Sequence, residues 1–205
     1  MSNSSLDRFY LIVGDVSWID RLVPLAVKLV QLRIKDRDED DIRGQIRAAR
    51  KICKIHGTQL IINDYWKLAI AEGCDFVHLG QEDLDAADLT VIRRAGVKVG
   101  FSTHDLDELA RVLPLRPNYV ALGPIYPTKL KTMRFAPQGL ERINEWKKLI
   151  GDIPLVAIGG LTVERIAGAF HAGADILSVV TDVTLNVNPE GRVVEWLSAT
   201  RGSEP

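Results

Sequence analysis

Residues 97–122 read VKVGFSTHDLDELARVLPLRPNYVAL. Val97–Phe101 is a short apolar run of the kind that forms a strand covered on both faces. Asp105–Leu113 follows a helical pattern, with Thr103 and Asp105 placed to cap its start. Tyr119–Leu122 is a second apolar run. Strand, helix and strand in this order form a parallel crossover unit, because parallel neighbours need a helical return between them.

The same alternation continues in both directions. Further strands are expected at Phe9–Val13, Leu29–Ile34, Gln59–Asn63, Phe76–Leu79, Leu155–Ile158 and Ile176–Val180. Helices are expected at Trp18–Lys28, Asp40–His56, Tyr65–Glu72, Leu84–Arg94, Leu140–Ile150, Val163–Ala172 and Asn188–Ala199. Pro189 stands near the start of the last one, where proline is tolerated. Eight strands and about eight helices in 205 residues suit one α/β domain, a (β/α)8 TIM-type barrel over residues 1–205. A doubly wound sheet fits less well, since no GxGxxG follows the first strand. Residues 201–205 are expected to fray.

Composition narrows the function. Twenty-six basic residues against 27 acidic ones leave a net charge of −1, so there is no basic footprint for nucleic acid. No apolar run is long enough to cross a membrane. Met1–Arg8 is polar and no signal-type apolar segment follows it, so the cytoplasm is the expected compartment. Cys53 and Cys74 are too few for a disulfide framework and are not spaced as a metal or redox pair; packed, reduced thiols are expected.

In such a barrel, chemistry gathers where strands end. The second strand runs into Gln31-Leu32-Arg33-Ile34-Lys35. Alternation puts Gln31, Arg33 and Lys35 on one face and Leu32 and Ile34 on the other. The apolar pair should face the helices, leaving two cations and an amide at the barrel mouth. These form either an internal ion-pair network or an anion site, with Arg33 as a fork and Lys35 as a point charge. The third strand ends at Asn63-Asp64, and Gly80-Gln81-Glu82-Asp83 follows the fourth. Asp64 and Asp83 should be neighbours on one rim. Each is either a helix cap or half of a pair sharing a cation, with Mg²⁺ the economical choice beside an anion site. Ser102 offers a hydroxyl, and His104 is a lone histidine that could act as an acid or base. The loop from Thr128 to Gly139 is long enough to be a lid or binding loop, and Lys131 within it is another candidate cation. Gly159-Gly160 after the seventh strand and Val180-Thr181 at the eighth occupy the usual phosphate position of this fold. Two phosphate sites with an acidic pair favour transfer between two phosphorylated substrates, with diphosphate leaving.

Seven collinear blocks resemble the thiamine phosphate synthase family: QLRIK (31–35), INDYWKLA (62–69), HLGQED (78–83), GFSTH (100–104), GPIYPTKLK (123–131), APQG (136–139) and AIGG (157–160). The resemblance runs from about Phe9 to Thr181. It implies a (β/α)8 barrel that joins hydroxymethylpyrimidine diphosphate to a thiazole phosphate with Mg²⁺ and releases diphosphate. Carried over to this chain, Gln31, Leu32, Arg33, Ile34 and Lys35 would line the pyrimidine diphosphate site, with Asn63, Ser102 and Lys131 binding the same substrate. Arg33, Lys35 and Lys131 would stabilise the departing diphosphate in a dissociative reaction. Asp64 and Asp83 would be the metal ligands. Thr128, Gly160, Val180 and Thr181 would hold the thiazole phosphate, and Lys129 and Leu130 count with the substrate-binding loop. Barrels often pair through helices, so a homodimer is one expectation.

The chain departs from the family pattern in three places. Leu130 stands where the family usually has Thr, Thr181 where it commonly has Ser, and Asp182-Val183-Thr184 replaces the usual Ala-Ile. Two rival readings follow: a thiazole tautomerase-like isomerase, which needs no diphosphate apparatus, and a non-catalytic binder of phosphate ligands.

Overall fold

The computed structural model describes residues 6–128 and 135–202. Eight parallel strands close in sequence order, β1 pairing with both β2 and β8. They are β1 (Phe9–Val13), β2 (Leu29–Leu32), β3 (Gln59–Asn63), β4 (Phe76–Leu79), β5 (Lys98–Thr103), β6 (Tyr119–Leu122), β7 (Leu155–Ile158) and β8 (Ile176–Val179). The (β/α)8 barrel expected from the alternation is thus the fold.

Each strand divides its side chains between two apolar layers. Tyr10 and Ile12 of β1 point into the barrel with Leu29, Ile61, Phe76 and Tyr119. Phe9, Leu11 and Val13 point outward and are covered by helices. Both faces are dry, which is why the strands read as unbroken apolar runs.

Ten α-helices are described: α1 (Val16–Leu22), α2 (Glu39–His56), α3 (Trp66–Ala71), α4 (Gln81–Ala86), α5 (Leu89–Arg94), α6 (Leu106–Val112), α7 (Gly139–Ile150), α8 (Ile166–His171), α9 (Thr181–Thr184) and α10 (Pro189–Arg201). Helix α2 shows how sequence sets one of them. Asp38 caps it by accepting the Asp41 N–H at 2.9 Å, and Glu39, Asp40 and Asp41 suit the positive end of its dipole. Ile42, Ile46, Ala49 and Cys53 form one buried stripe. Full burial of each isoleucine contributes about 1.5–3 kcal/mol. Gly57, at φ 60°, ends the helix in the left-handed conformation.

Three expected helices differ. The run at Trp18–Lys28 stops at Leu22, because Pro24 lies in a 3-10 turn that Ala26 closes in the left-handed region. The run at Leu84–Arg94 is two helices, because Asp88 accepts the Thr90 and Val91 N–H groups and starts a new one. The first turn expected at Val163–Ala172 is 3-10, and the α-helix begins at Ile166. Of the expected tail, Arg201 ends α10, its guanidinium donating to Asp7 (3.1 Å) and to the Ala26 carbonyl (2.9 Å), and residues 203–205 lie outside the described residues. Both cysteines are buried and unbridged, and burial raises the Cys53 thiol to about 12 and Cys74 to about 11. Among the described residues no helix is long and apolar enough to cross a membrane.

Candidate active site

Strand β2 ends at Leu32, two residues before the end expected from sequence. Its ladder continues one residue further, as the Arg33 N–H donates to the Val13 carbonyl at 2.8 Å. The alternation survives past the strand: Leu32 and Ile34 are buried against the helix layer, whereas Arg33 and Lys35 are exposed at the rim. Only the main chain of Leu32 and Ile34 therefore faces the site. Arg33 has no ion-pair partner among the described residues. Lys35 Nζ lies 2.6 Å from Asp64 Oδ2.

Asp64 follows β3 in the left-handed region, at φ 64°. An Asp tolerates this conformation, which costs about 1–3 kcal/mol and commonly marks a functional position. The N-cap of α3 is Tyr65, with no side-chain capping bond, so Asp64 is not a cap. Asp83 sits in the first turn of α4 and its carboxyl accepts the Gly80 N–H, as in a capping box. It therefore does cap, and it also lies within hydrogen-bond reach of Asp64. Burial, followed by this second carboxyl, holds Asp83 above the usual carboxylate range. The two carboxylates that sequence placed on one rim do meet. No cluster of three or more His, Cys, Asp or Glu able to hold a metal occurs among the described residues.

The barrel interior below carries a chain of polar groups. Gln31 Nε2 donates to Tyr10 Oη at 2.7 Å, and Tyr10 Oη lies 3.0 Å from Tyr119 Oη. Tyr119 Oη is 2.7 Å from His78 Nδ1, and His78 Nε2 is 2.8 Å from Ser102 Oγ. The chain thus joins Gln31 to Ser102, two residues singled out from sequence, through three that were not. Tyr10 and Tyr119 read as core aromatics and His78 as one polar residue in an apolar strand. Gly100 makes room for the phenol: a Cβ there would lie 2.2 Å from Tyr119 Cζ, so only glycine admits the ring. Burial lowers His78 to about 4. Asn63 is buried on β3 beside it, its Cα paired with that of His78.

The remaining sequence candidates divide. Asp105 caps α6 by accepting the Glu108 N–H at 2.9 Å, as expected. Thr103 does not cap; its hydroxyl donates to the Ala121 carbonyl (3.0 Å) and accepts from Trp146 Nε1 (2.9 Å). His104 pairs with Glu108 at 2.8 Å and stacks on Phe135, ring centroids 4.5 Å apart. Thr128 is described, whereas Lys129, Leu130 and Lys131 lie outside the described residues. Gly160 has φ 64°, and a Cβ there would come within 2.6 Å of the Pro127 carbonyl oxygen, so the loops after β6 and β7 touch only through glycine. Val180 packs against the interior cluster, and Thr181 opens α9. The unusual Asp182 is structural: it accepts from Arg192 and Trp196 and ties α9 to α10.

A broad cleft of about 990 Å³ opens at the other end of the barrel, near Lys28, Gly57 and Asp75. None of the residues above line it. The candidate site is the mouth at the carboxyl ends of the strands, where this fold presents its chemistry.

Fold and site define a (β/α)8 enzyme whose rim joins cations, a carboxylate pair and a late-strand glycine loop. The family model described as thiamine monophosphate synthase matches residues 9–183. A thiamine-phosphate synthase of Rhizobium etli is 60% identical over 195 residues, covering 95% of this chain and 96% of that protein. One from Serratia proteamaculans is 43% identical over 195 residues, with 95% and 92% covered. A solved thiamine phosphate pyrophosphorylase from Pyrococcus furiosus superposes with a TM-score of 0.81 at 20% identity, covering 96% of each chain. The chain belongs to the thiamine monophosphate synthase family and is a transferase.

Proposed function

We propose that this protein joins hydroxymethylpyrimidine diphosphate to a thiazole phosphate, giving thiamine phosphate and diphosphate. One observation carries the reading: Gln31, Arg33, Lys35, Asp64, Asp83 and Ser102 come from or directly follow adjacent strands β2 to β5, and Gly160 and Thr181 follow β7 and β8 on the same rim. A diphosphate needs the first group, with its cations and acidic pair. A monophosphate suits main-chain N–H groups and a hydroxyl.

The donor chemistry of Asp64 and Asp83 fits Mg²⁺. That ion takes one or two carboxylates and fills its other positions with water and substrate phosphate oxygens, so a larger protein cluster is not needed. Asp64 and Asp83 would hold the ion, which supplies charge neutralisation to the diphosphate when bound.

This chain's residues do the rest. Arg33 offers parallel donors to diphosphate oxygens, and Lys35, now on Asp64, turns to them as a point charge. The carbon–oxygen bond of the pyrimidine methyl group breaks and its electron pair leaves with diphosphate. The thiazole nitrogen then donates its lone pair to the methyl carbon. Gln31 and Asn63 orient the ring. Ile12, Ile158 and Val180 form an apolar wall that keeps water from the cationic carbon. No protein nucleophile is required, so preorganised charge supplies most of the rate. Lys131 belongs with the diphosphate donors and Thr128 with the thiazole phosphate.

The protein is a small-molecule enzyme of the cytoplasm in this reading. Incubating it with both substrates and Mg²⁺ and measuring thiamine phosphate tests it. Product that requires all three components supports it. Isomerisation of the thiazole phosphate alone would identify a tautomerase, and substrate binding without product would identify a binding protein.

A further inference from the structure

The interior hydrogen-bond chain has a direction. Gln31 donates through Nε2, an amide nitrogen with protons to give and no lone pair to offer. Tyr10 Oη accepts that bond, so its single proton goes to Tyr119 Oη, 3.0 Å away. Tyr119 in turn has one proton left, and it points at His78 Nδ1, 2.7 Å away. A neutral imidazole that accepts at Nδ1 carries its proton on Nε2 and gives it to Ser102 Oγ at 2.8 Å. The Ser102 hydroxyl, its oxygen already accepting, keeps its own proton for the barrel mouth. The Ser102 main chain is held separately, since Gln81 Nε2 donates to its carbonyl at 2.7 Å.

We propose that Tyr10, Tyr119 and His78 are positioning residues that fix His78 as the Nε2–H tautomer and thereby hold Ser102 as a hydrogen-bond donor toward substrate. The atom facing Ser102 must then be an acceptor, such as a ring nitrogen of the pyrimidine diphosphate; this part rests on the function proposed above. The opposite polarity requires Gln31 to turn its oxygen to Tyr10. Every proton in the chain then reverses, His78 becomes the Nδ1–H tautomer, and Ser102 spends its proton inside the barrel.

Imidazole ¹⁵N spectra of the ligand-free protein separate the two. The chain has four histidines, and His78 is assigned by its loss in His78→Gln. The expected spectrum has a bare Nδ1 and a protonated Nε2; the reverse pattern overturns the proposal. Tyr119→Phe removes the donor to Nδ1. It is expected to give a mixture of His78 tautomers and to raise KM for the pyrimidine diphosphate ~3- to 10-fold, the worth of one neutral hydrogen bond. KM for the thiazole phosphate stays within about twofold, since the lost bond lies on the other side of the site. Tyr10→Phe is expected to act in the same direction and serves if Tyr119→Phe does not fold. An unchanged His78 tautomer in the folded variants would show that the phenols do not set it. The spectra do not depend on turnover, so an inactive wild type would defeat the proposed function and leave this inference to stand or fall on the nitrogen shifts.

Discussion

Replacing Asp182 by alanine removes three hydrogen bonds to one carboxylate. Asp182 Oδ2 accepts from Arg192 Nε and from Trp196 Nε1, both at 2.8 Å, and Oδ1 accepts from Arg192 Nη2 at 3.0 Å. The Arg192 and Asp182 side chains are only 13% and 14% exposed. Removing one member of a largely buried pair costs about 3–5 kcal/mol, because the remaining charge stays desolvated. Arg192 keeps Glu195 at 2.6 Å and Glu164 at 3.3 Å, which puts the expected cost at the low end. A loss of about 3 kcal/mol, with a urea slope of about 2 kcal/mol/M, lowers the unfolding midpoint by about 1.5 M. The same contact fixes α9, whose first residue is Thr181. KM for the thiazole phosphate should therefore rise, with KM for the pyrimidine diphosphate little changed. Urea melts and the two Michaelis constants are the assays. A stability loss below about 1 kcal/mol with an unaltered thiazole-phosphate KM would refute the anchoring role.

Gly100→Ala drives a methyl group into the Tyr119 ring, and overpacking costs about 1–3 kcal/mol before the hydrogen bonds to Tyr10 and His78 are counted. Unchanged melting together with unchanged turnover would contradict this. His78 titrates at about 4 in the fold against an ordinary value of 6.5, so below 6.5 the unfolded chain binds the extra proton and stability falls with pH. By about pH 4.5 the loss is on the order of 2 kcal/mol relative to neutral pH. His78→Gln should flatten this slope, and an equal loss of stability between neutral pH and about pH 4.5 in the variant and the wild type, read from urea melts, would show that His78 does not cause it. Asp83→Asn should abolish Mg²⁺-dependent thiamine phosphate formation and leave the melting temperature within a few degrees. Near-normal turnover would remove Asp83 from the metal site.

The barrel was legible because parallel strands bury both faces. Phe9–Val13, Gln59–Asn63, Phe76–Leu79, Tyr119–Leu122 and Leu155–Ile158 have the bounds their apolar runs suggest. The break at Asp88 was hidden, because the side-chain cap that makes it is a local contact between Asp88 and the next turn. Past β2 the alternation persists, with Arg33 and Lys35 exposed and Leu32 and Ile34 buried, since pleat geometry outlasts the ladder. The interior chain was not legible. Tyr10, His78 and Tyr119 lie 41 or more residues apart in sequence for their linked pairs, and their meeting depends on barrel closure. Asp182 shows the same limit on a smaller scale. Sequence marked it as a departure from the family, but its partners belong to α10, whose inward face only the fold defines.

In the proposed function one rim holds a diphosphate at β2 to β5 and a monophosphate at β7 and β8. Measuring both Michaelis constants of Arg33→Ala tests it most directly. Loss of the charged fork should raise KM for the pyrimidine diphosphate ~10- to 150-fold and leave KM for the thiazole phosphate within about twofold. A rise confined to the thiazole phosphate, or an equal rise in both, would contradict the division of the site.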